Sequence, residues 1–230
     1  MIIEELKELM CVPADAGEPE IAKAFERIAN IIQNECVIKY LDEMYRILDF
    51  EFYFYNKNHQ DISTHPRISE ALCWYINDFG GIDLNFESKR IKKVLVEHNK
   101  SYSLKYELSE DSYFGGVIIR QVQRLSDKIV FDGPLKVAEL FRILDATTQI
   151  QSNPTLEETI EKLDTIEFKK QKRHNLFGSH KGNLETQAKA KADYIIRECF
   201  TPIKDSERLH LEQELASFYN CEYRYCWVKP

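Results

Sequence analysis

The residue types best suited to chemistry fall in the run Tyr45-Arg46-Ile47-Leu48-Asp49-Phe50-Glu51-Phe52-Tyr53-Phe54-Tyr55. Alternation along a strand places Arg46, Leu48, Phe50 and Phe52 on one face and Ile47, Asp49, Glu51 and Tyr53 on the other. A carboxylate flanked by aromatic rings, as Glu51 is, suits a desolvated general base. The plainer account is a strand glutamate reaching water at a sheet surface. Arg120 is the one charge in Val117-Ile118-Ile119-Arg120-Gln121-Val122. An arginine in such a strand pairs with a carboxylate or a phosphate. If the two strands are close, Arg120 can face Glu51 and orient a water between them. His59, Asp61 and His65 gather two imidazoles and a carboxylate in one short loop. That set suits a divalent metal chemically, but its spacing matches no standard ligand pattern, and no metal is expected. Asp83, after a Gly-Gly pair, is expected to hold a turn. No P-loop, G-x-G-x-x-G, H-E-x-x-H or G-x-S-x-G string occurs.

These side chains need a frame. Ile21, Phe25, Ile28 and Ile32 recur at helical spacing after Pro19, which predicts an early amphipathic helix. Cys36 to Tyr40 and Tyr45 to Tyr55 are rich in aromatic and β-branched residues with only Leu41 to Met44 between them, which predicts a β-hairpin. A polar loop runs from Asn56 to Pro66. Phe79-Gly80-Gly81 and Phe114-Gly115-Gly116 each precede a strand-like run, and the glycine pairs suit tight turns or bulges. Val94 to Val96 and Tyr102 to Leu108 add possible strands, although Arg90 to His98 also reads as helix. Asp132-Gly133-Pro134 opens a helix carrying Val137, Leu140, Phe141 and Leu144. Further helices are predicted over Thr155 to Leu163, along Leu184, Ala188, Ala192, Ile195 and Cys199, and over Leu209 to Tyr219. Tyr223 to Val228 closes as a strand. The pattern is α+β: a mainly antiparallel, curved sheet with helices packed at its N-terminal and C-terminal ends. One domain is expected over residues 1–230, with a helical lead-in (1–35), a sheet-rich core (36–145) and a helical part with the closing strand (146–230).

The 230 residues, 43% hydrophobic and 30% charged, suffice for a substantial core. No run approaches the roughly eighteen apolar residues of a membrane span, and Met1 to Lys7 does not read as a signal peptide, so a cytoplasmic protein with no membrane partner is expected. The six cysteines form no C-x-x-C pair and are expected to be reduced core thiols. The net charge of -7 discourages nucleic-acid binding, but it is unevenly spread. Lys169, Lys170, Lys172, Arg173, Lys181, Lys189, Lys191 and Arg197 crowd one stretch that holds only Glu185 and Asp193 against them. Such a stretch can meet phosphates locally, or serve as a solvated face.

Taken in order, these strings resemble the alkyladenine (3-methyladenine) DNA glycosylase family. The family's Glu-x-Tyr and following Asp-x-x-x-His are similar to Glu51-Phe52-Tyr53 and Asp61-Ile62-Ser63-Thr64-His65. Its glycine-preceded apolar triplet plus arginine, and the Gly-Pro that opens a helix, are similar to Gly115 through Arg120 and Gly133-Pro134. The resemblance covers roughly residues 25 to 145. The loop from Glu51 to His65 is longer than the family's. The family's Tyr-x-x-Tyr-Gly reads here as Trp74-Tyr75-Ile76-Asn77-Asp78-Phe79-Gly80, and Asp83 places an acid where the family's DNA channel is neutral or basic.

The resemblance implies a monofunctional DNA N-glycosylase without a cofactor, acting on alkylated or deaminated purines. In it Glu51 deprotonates a water that attacks C1′ and Arg120 orients that water. Tyr53 and His65 sandwich the flipped base with Tyr75 nearby, and Phe79 is the wedge that replaces it in the stack. DNA is the implied partner, with Lys169, Lys170, Lys172 and Arg173 on its backbone. Two other readings stand beside this one. The first is a non-enzymatic binding or interaction protein on the same scaffold. The second is a metal-dependent hydrolase using His59, Asp61 and His65.

Overall fold

A computed structural model describes residues 1–76, 81–98, 101–141, 154–159, 163–164, 166–173, 184–200, 204–218 and 221–228. Two helices lead: α1 (Ile2–Leu9) and α2 (Glu18–Asn34). The strands β1 (Cys36–Tyr40), β2 (Glu43–Asn56), β3 (His59–Gln60), β4 (Trp74–Ile76), β5 (Ile82–Asn85), β6 (Lys89–His98), β7 (Ser101–Arg124) and β8 (Val130–Asp132) follow. After α3 (Pro134–Leu140) come β9 (Thr155–Glu158), β10 (Phe168–Gln171), α4 (Leu184–Cys199), α5 (Asp205–Phe218) and β11 (Arg224–Trp227). The architecture is α+β with a curved antiparallel sheet. Its main path is β10-β11-β2-β7-β5-β4, with β1 and β3 on β2, β6 and β8 on β7, and β9 on β1. No described helix is long and apolar enough to cross a membrane.

The hairpin predicted around residues 41–44 is present, with Ile38 opposite Tyr45. The strands expected over Val94 to Val96 and Tyr102 to Leu108 are present in β6 and β7, and the helical alternative for Arg90 to His98 gives way to cross-strand pairing. One expected element fails. Thr155 opens a strand rather than a capped helix, because Thr155 to Glu158 finds the free edge of β1. The Ile2–Leu9 helix falls within the expected helical lead-in, ahead of the periodic residues that begin at Ile21.

One sheet face carries most of the core. The α2 residues Ile21, Phe25, Ile28 and Ile32 pack on Phe50, Phe52, Phe54, Phe86, Val117 and Ile119. Phe25 stacks on Phe52 with centroids 4.4 Å apart. Each such fully buried side chain contributes about 1.5–3 kcal/mol. A smaller cluster, Ile62, Phe114, Ile195, Phe200, Leu211 and Leu215, lies on the opposite face, beneath α4 and α5.

The expected alternation breaks at Leu48. Tyr45 and Ile47 join Phe50, Phe52 and Phe54 in the same core, because the β2–β7 register shifts between Ile47 and Asp49 and again between Asp49 and Phe50. A bulge inserts a residue and re-aims the side chains beyond it. Arg46 therefore does not share a face with Phe50.

The Phe114-Gly115-Gly116 pair makes no turn. It lies inside β7, opposite Phe54 and Tyr53. A Cβ on Gly115 would stand 2.5 Å from the Tyr53 carbonyl oxygen, so glycine is required by the closeness of the backbones. The cysteines are free among the described residues, but Cys11 and Cys73 are exposed rather than core thiols.

Candidate functional site

Register builds the site. Tyr75 pairs with Asp83, Asp83 with Ile118, Ile118 with Glu51, and Glu51 with Arg224. Directly paired residues share a face, so these five form one row across β4, β5, β7, β2 and β11, on the side away from α2. The neighbouring row is Asn85, Gly116 and Tyr53. Pairing passes from Asp49–Gln121 to Phe50–Ile119, and Arg120 is the residue skipped. That irregularity puts Arg120 beside Glu51, as expected from the sequence.

Glu51 is fully buried. Its Oε2 accepts a hydrogen bond of 2.5 Å from the Tyr53 hydroxyl. Its Oε1 faces Arg120 Nε at 3.5 Å and Arg224 Nε at 3.7 Å, which are ion-pair distances longer than hydrogen bonds. Arg224 is anchored by two hydrogen bonds to Asp49, of 3.0 and 2.5 Å. The hydrogen bonds to Asp49 hold its guanidinium in the charged form. Burial first, and then the Glu51 charge, push the Tyr53 phenol well above its usual range, so Tyr53 acts here as a donor.

A second buried pair closes over this floor. Arg173 donates to Asp61 Oδ2 at 2.6 Å and to Ser63 Oγ at 3.1 Å. Ser63 in turn donates its hydroxyl to Asp61 Oδ1 at 2.5 Å. Burial alone pushes the Asp61 carboxyl up, but Arg173, His59 and Ser63 outweigh it and hold the group below the usual aspartate range. Burial likewise opposes the Arg173 charge, and Asp61, Tyr53 and Glu51 more than offset it. The Arg173 guanidinium lies over the Tyr53 ring, 4.6 Å from its centroid, and 5.3 Å from that of Tyr223.

The third unit is Arg67. It donates to Asp83 at 2.7 Å, to Asn85 at 2.8 Å and to the His65 carbonyl at 3.1 Å. Its guanidinium sits 4.0 Å over the Tyr75 ring. Gly116 leaves room for it, since a Cβ there would be 3.1 Å from Arg67 Nη1. Arg67 thus ties the His65 loop and Tyr75 to the sheet.

Several expectations need correction. Arg173 does not present itself to a phosphate backbone: it is buried and paired with Asp61. Lys169, Lys170 and Lys172 are exposed, and Lys170 pairs with Glu26. Tyr53 offers no open ring face, because Arg173 covers it. His65 is buried, and Phe79 lies outside the described residues. Asp83 holds Arg67 rather than a turn. His59 turns to Glu18 while Asp61 turns to Arg173, and no group of three potential ligands able to hold a metal occurs among the described residues. The sequence reading missed Arg224, Asp49 and Arg67 as parts of the site. Arg224 carried the same signal as Glu51, a lone charge among aromatics in Tyr223-Arg224-Tyr225. Arg67 carried none, being one polar residue in a loop.

No family model, curated protein or solved structure matches this chain.

Proposed function

We propose that this chain is an N-glycosylase resembling the alkyladenine DNA glycosylases, hydrolysing the bond between a damaged purine and its deoxyribose. What carries this reading is the geometry at Glu51, a buried carboxylate with one oxygen fixed by Tyr53 and the other facing Arg120. A water accepted by Glu51 Oε1 would be oriented by the Arg120 guanidinium. Glu51 takes its proton as the oxygen attacks C1′ and the glycosidic electron pair leaves with the base. Both carboxylate oxygens act: one holds the side chain still, the other does the chemistry.

Tyr53 supports the same reading in a second way. Its ring already accepts a guanidinium, and a ring face that attracts one cation attracts an N-alkylated, positively charged purine for the same reason. In this reading Arg173 withdraws and the flipped base takes its place. Exposed Lys169, Lys170 and Lys172 then meet the backbone.

The test is base release from duplex and single-stranded oligonucleotides carrying ethenoadenine or hypoxanthine. Wild type should release base, and Glu51→Gln should slow release by about 100-fold or more. A specific observation also favours a non-enzymatic binding protein on this scaffold: Glu51 is sealed from solvent beneath Tyr53 and the Arg173–Asp61 pair. Absence of release by wild type, with no DNA retardation at low salt, would decide for that second reading.

A further inference from the structure

The strand β7 pairs with β2 and β5 only from Phe114 onward, and before that its strand partner is β6. β6 in turn pairs with β7 and with no other described strand. The far edge of this hairpin is met at Tyr106 by Phe200. The outer edge of β6 therefore offers backbone N–H and C=O groups with no strand to receive them among the described residues. Such an edge is a template for a further strand.

One face of the hairpin changes character along its length. Ile91, Tyr106 and Leu108 pack on the cluster beneath α4 and α5. Farther out on the same face, Leu95, Leu104 and Tyr102 are 68%, 49% and 64% exposed. Leu95 lies directly opposite Leu104, and Glu97 opposite Tyr102. Exposed apolar side chains beside an open edge mark a surface for a partner, and the charges of β6 select which one. Lys89 and Lys92 find Glu87 and Glu107 within their own chain. Lys93 and Glu97 are exposed, make no ion pair among the described residues, and flank Leu95 on its own face. Lysines on an edge ordinarily repel an incoming strand. A second copy of β6, laid antiparallel about a two-fold axis at Leu95, turns that repulsion into attraction.

We propose that this chain forms a two-fold dimer through its β6 edges, with Leu95 opposite Leu95 of the second copy. In that register each Lys93 faces the second copy's Glu97, so an ion pair brackets the leucines on either side. On the reverse face each Val94 meets the second copy's Val96. Leu104 and Leu95 of both copies form one apolar row across the joined sheet. Neighbouring registers do worse. The smallest slip that keeps the faces matched sets Leu95 against Lys93 or Glu97. The next sets Lys93 against Lys93, or Glu97 against Glu97. The contact uses the same edge of both copies, so it closes at the dimer. No residue of β6 belongs to the Glu51 site, so the dimer stands apart from the glycosylase reading.

The test is sedimentation equilibrium of the full chain over roughly 1–500 μM. A single strand pair is small for an interface, so wild type should pass from monomer to dimer at about 10–100 μM. Lys93→Glu and Glu97→Lys change exposed side chains, and each sets like charges opposite one another on both sides of Leu95. Either variant alone should dimerise about tenfold or more weakly. Mixed in equal amounts, the two should associate at close to wild-type affinity, because every facing pair is again of opposite charge. Wild type that stays monomeric throughout would overturn the proposal and leave the edge to a strand of another protein. Dimers unaffected by both variants would overturn it as well, as would association lost in each variant and not recovered in the mixture.

Discussion

The two faces of the β2–β7 sheet are made by neighbouring residues of the same strands, yet they are held together by opposite means. Phe50, Phe52 and Phe54 meet α2 in an aromatic core where volume is what matters. Asp49, Glu51 and Tyr53, one step along, meet three arginines in a charged layer that is also largely closed to water. The first face gains from every buried atom and tolerates reshuffling of shape. The second gains little net energy from its ion pairs, because desolvation offsets attraction, but it suffers heavily when one partner goes. Stability is thus spread over many residues on one side and concentrated in a few pairs on the other.

The largest effects should be alike in size and different in kind. Phe52→Ala leaves a cavity and should cost about 3–5 kcal/mol in chemical denaturation. Arg173→Met leaves Asp61 buried without its counter-ion and should cost about 3–5 kcal/mol as well. The double variant Asp61→Leu with Arg173→Met separates the two mechanisms: it should be more stable than either single variant. If the losses simply add, the charged layer behaves like the aromatic one and the contrast fails.

Next in size is Gly115→Ala. Its Cβ has the Tyr53 carbonyl 2.5 Å away, and prying β7 from β2 should cost about 1–3 kcal/mol. Melting temperature measures this directly, and a neutral outcome would mean that the strands separate more easily than their packing implies.

Of the two faces, acid should act on the charged one. Asp61 has a depressed folded-state pKa, so its contribution is present above the usual aspartate range and is lost as pH falls below about 4 through the folded value. Phe52→Ala should keep that acid-limb slope, and Asp61→Asn should flatten it, as followed by denaturant midpoints against pH. The smallest effect belongs to Lys170→Met. It removes an exposed pair with Glu26 and should stay within about 0.5 kcal/mol, so a larger loss would place Lys170 in the buried network.

Much of this was legible in the chain itself. Helical spacing of Ile21, Phe25, Ile28 and Ile32 marked α2, and the aromatic run marked β2, because periodicity is a local property. Glu51 and Arg120 were recognisable as lone charges in apolar strands, a signal that a buried charge needs a partner. The β9 strand was not legible, since it exists only through the edge it pairs with, and β6 was legible only beside a helical alternative that its pairing with β7 decides against.

The sequence by itself determined the α+β class, the hairpin of β1 and β2, and the identity of Glu51, Tyr53 and Arg120 as residues in need of an account. Only the tertiary structure decided which carboxylate each arginine would hold. The bulge after Ile47, absent from any alternation pattern, turned Arg46 away from the Phe50 face and brought Arg120 to Glu51. Chain segments more than a hundred residues apart then gave Arg173 to Asp61 and Arg224 to Asp49. The physical reason is common to all of these. Periodicity shows which side of a strand a residue faces, whereas partners are chosen by register, by strand order and by which charges must leave water together.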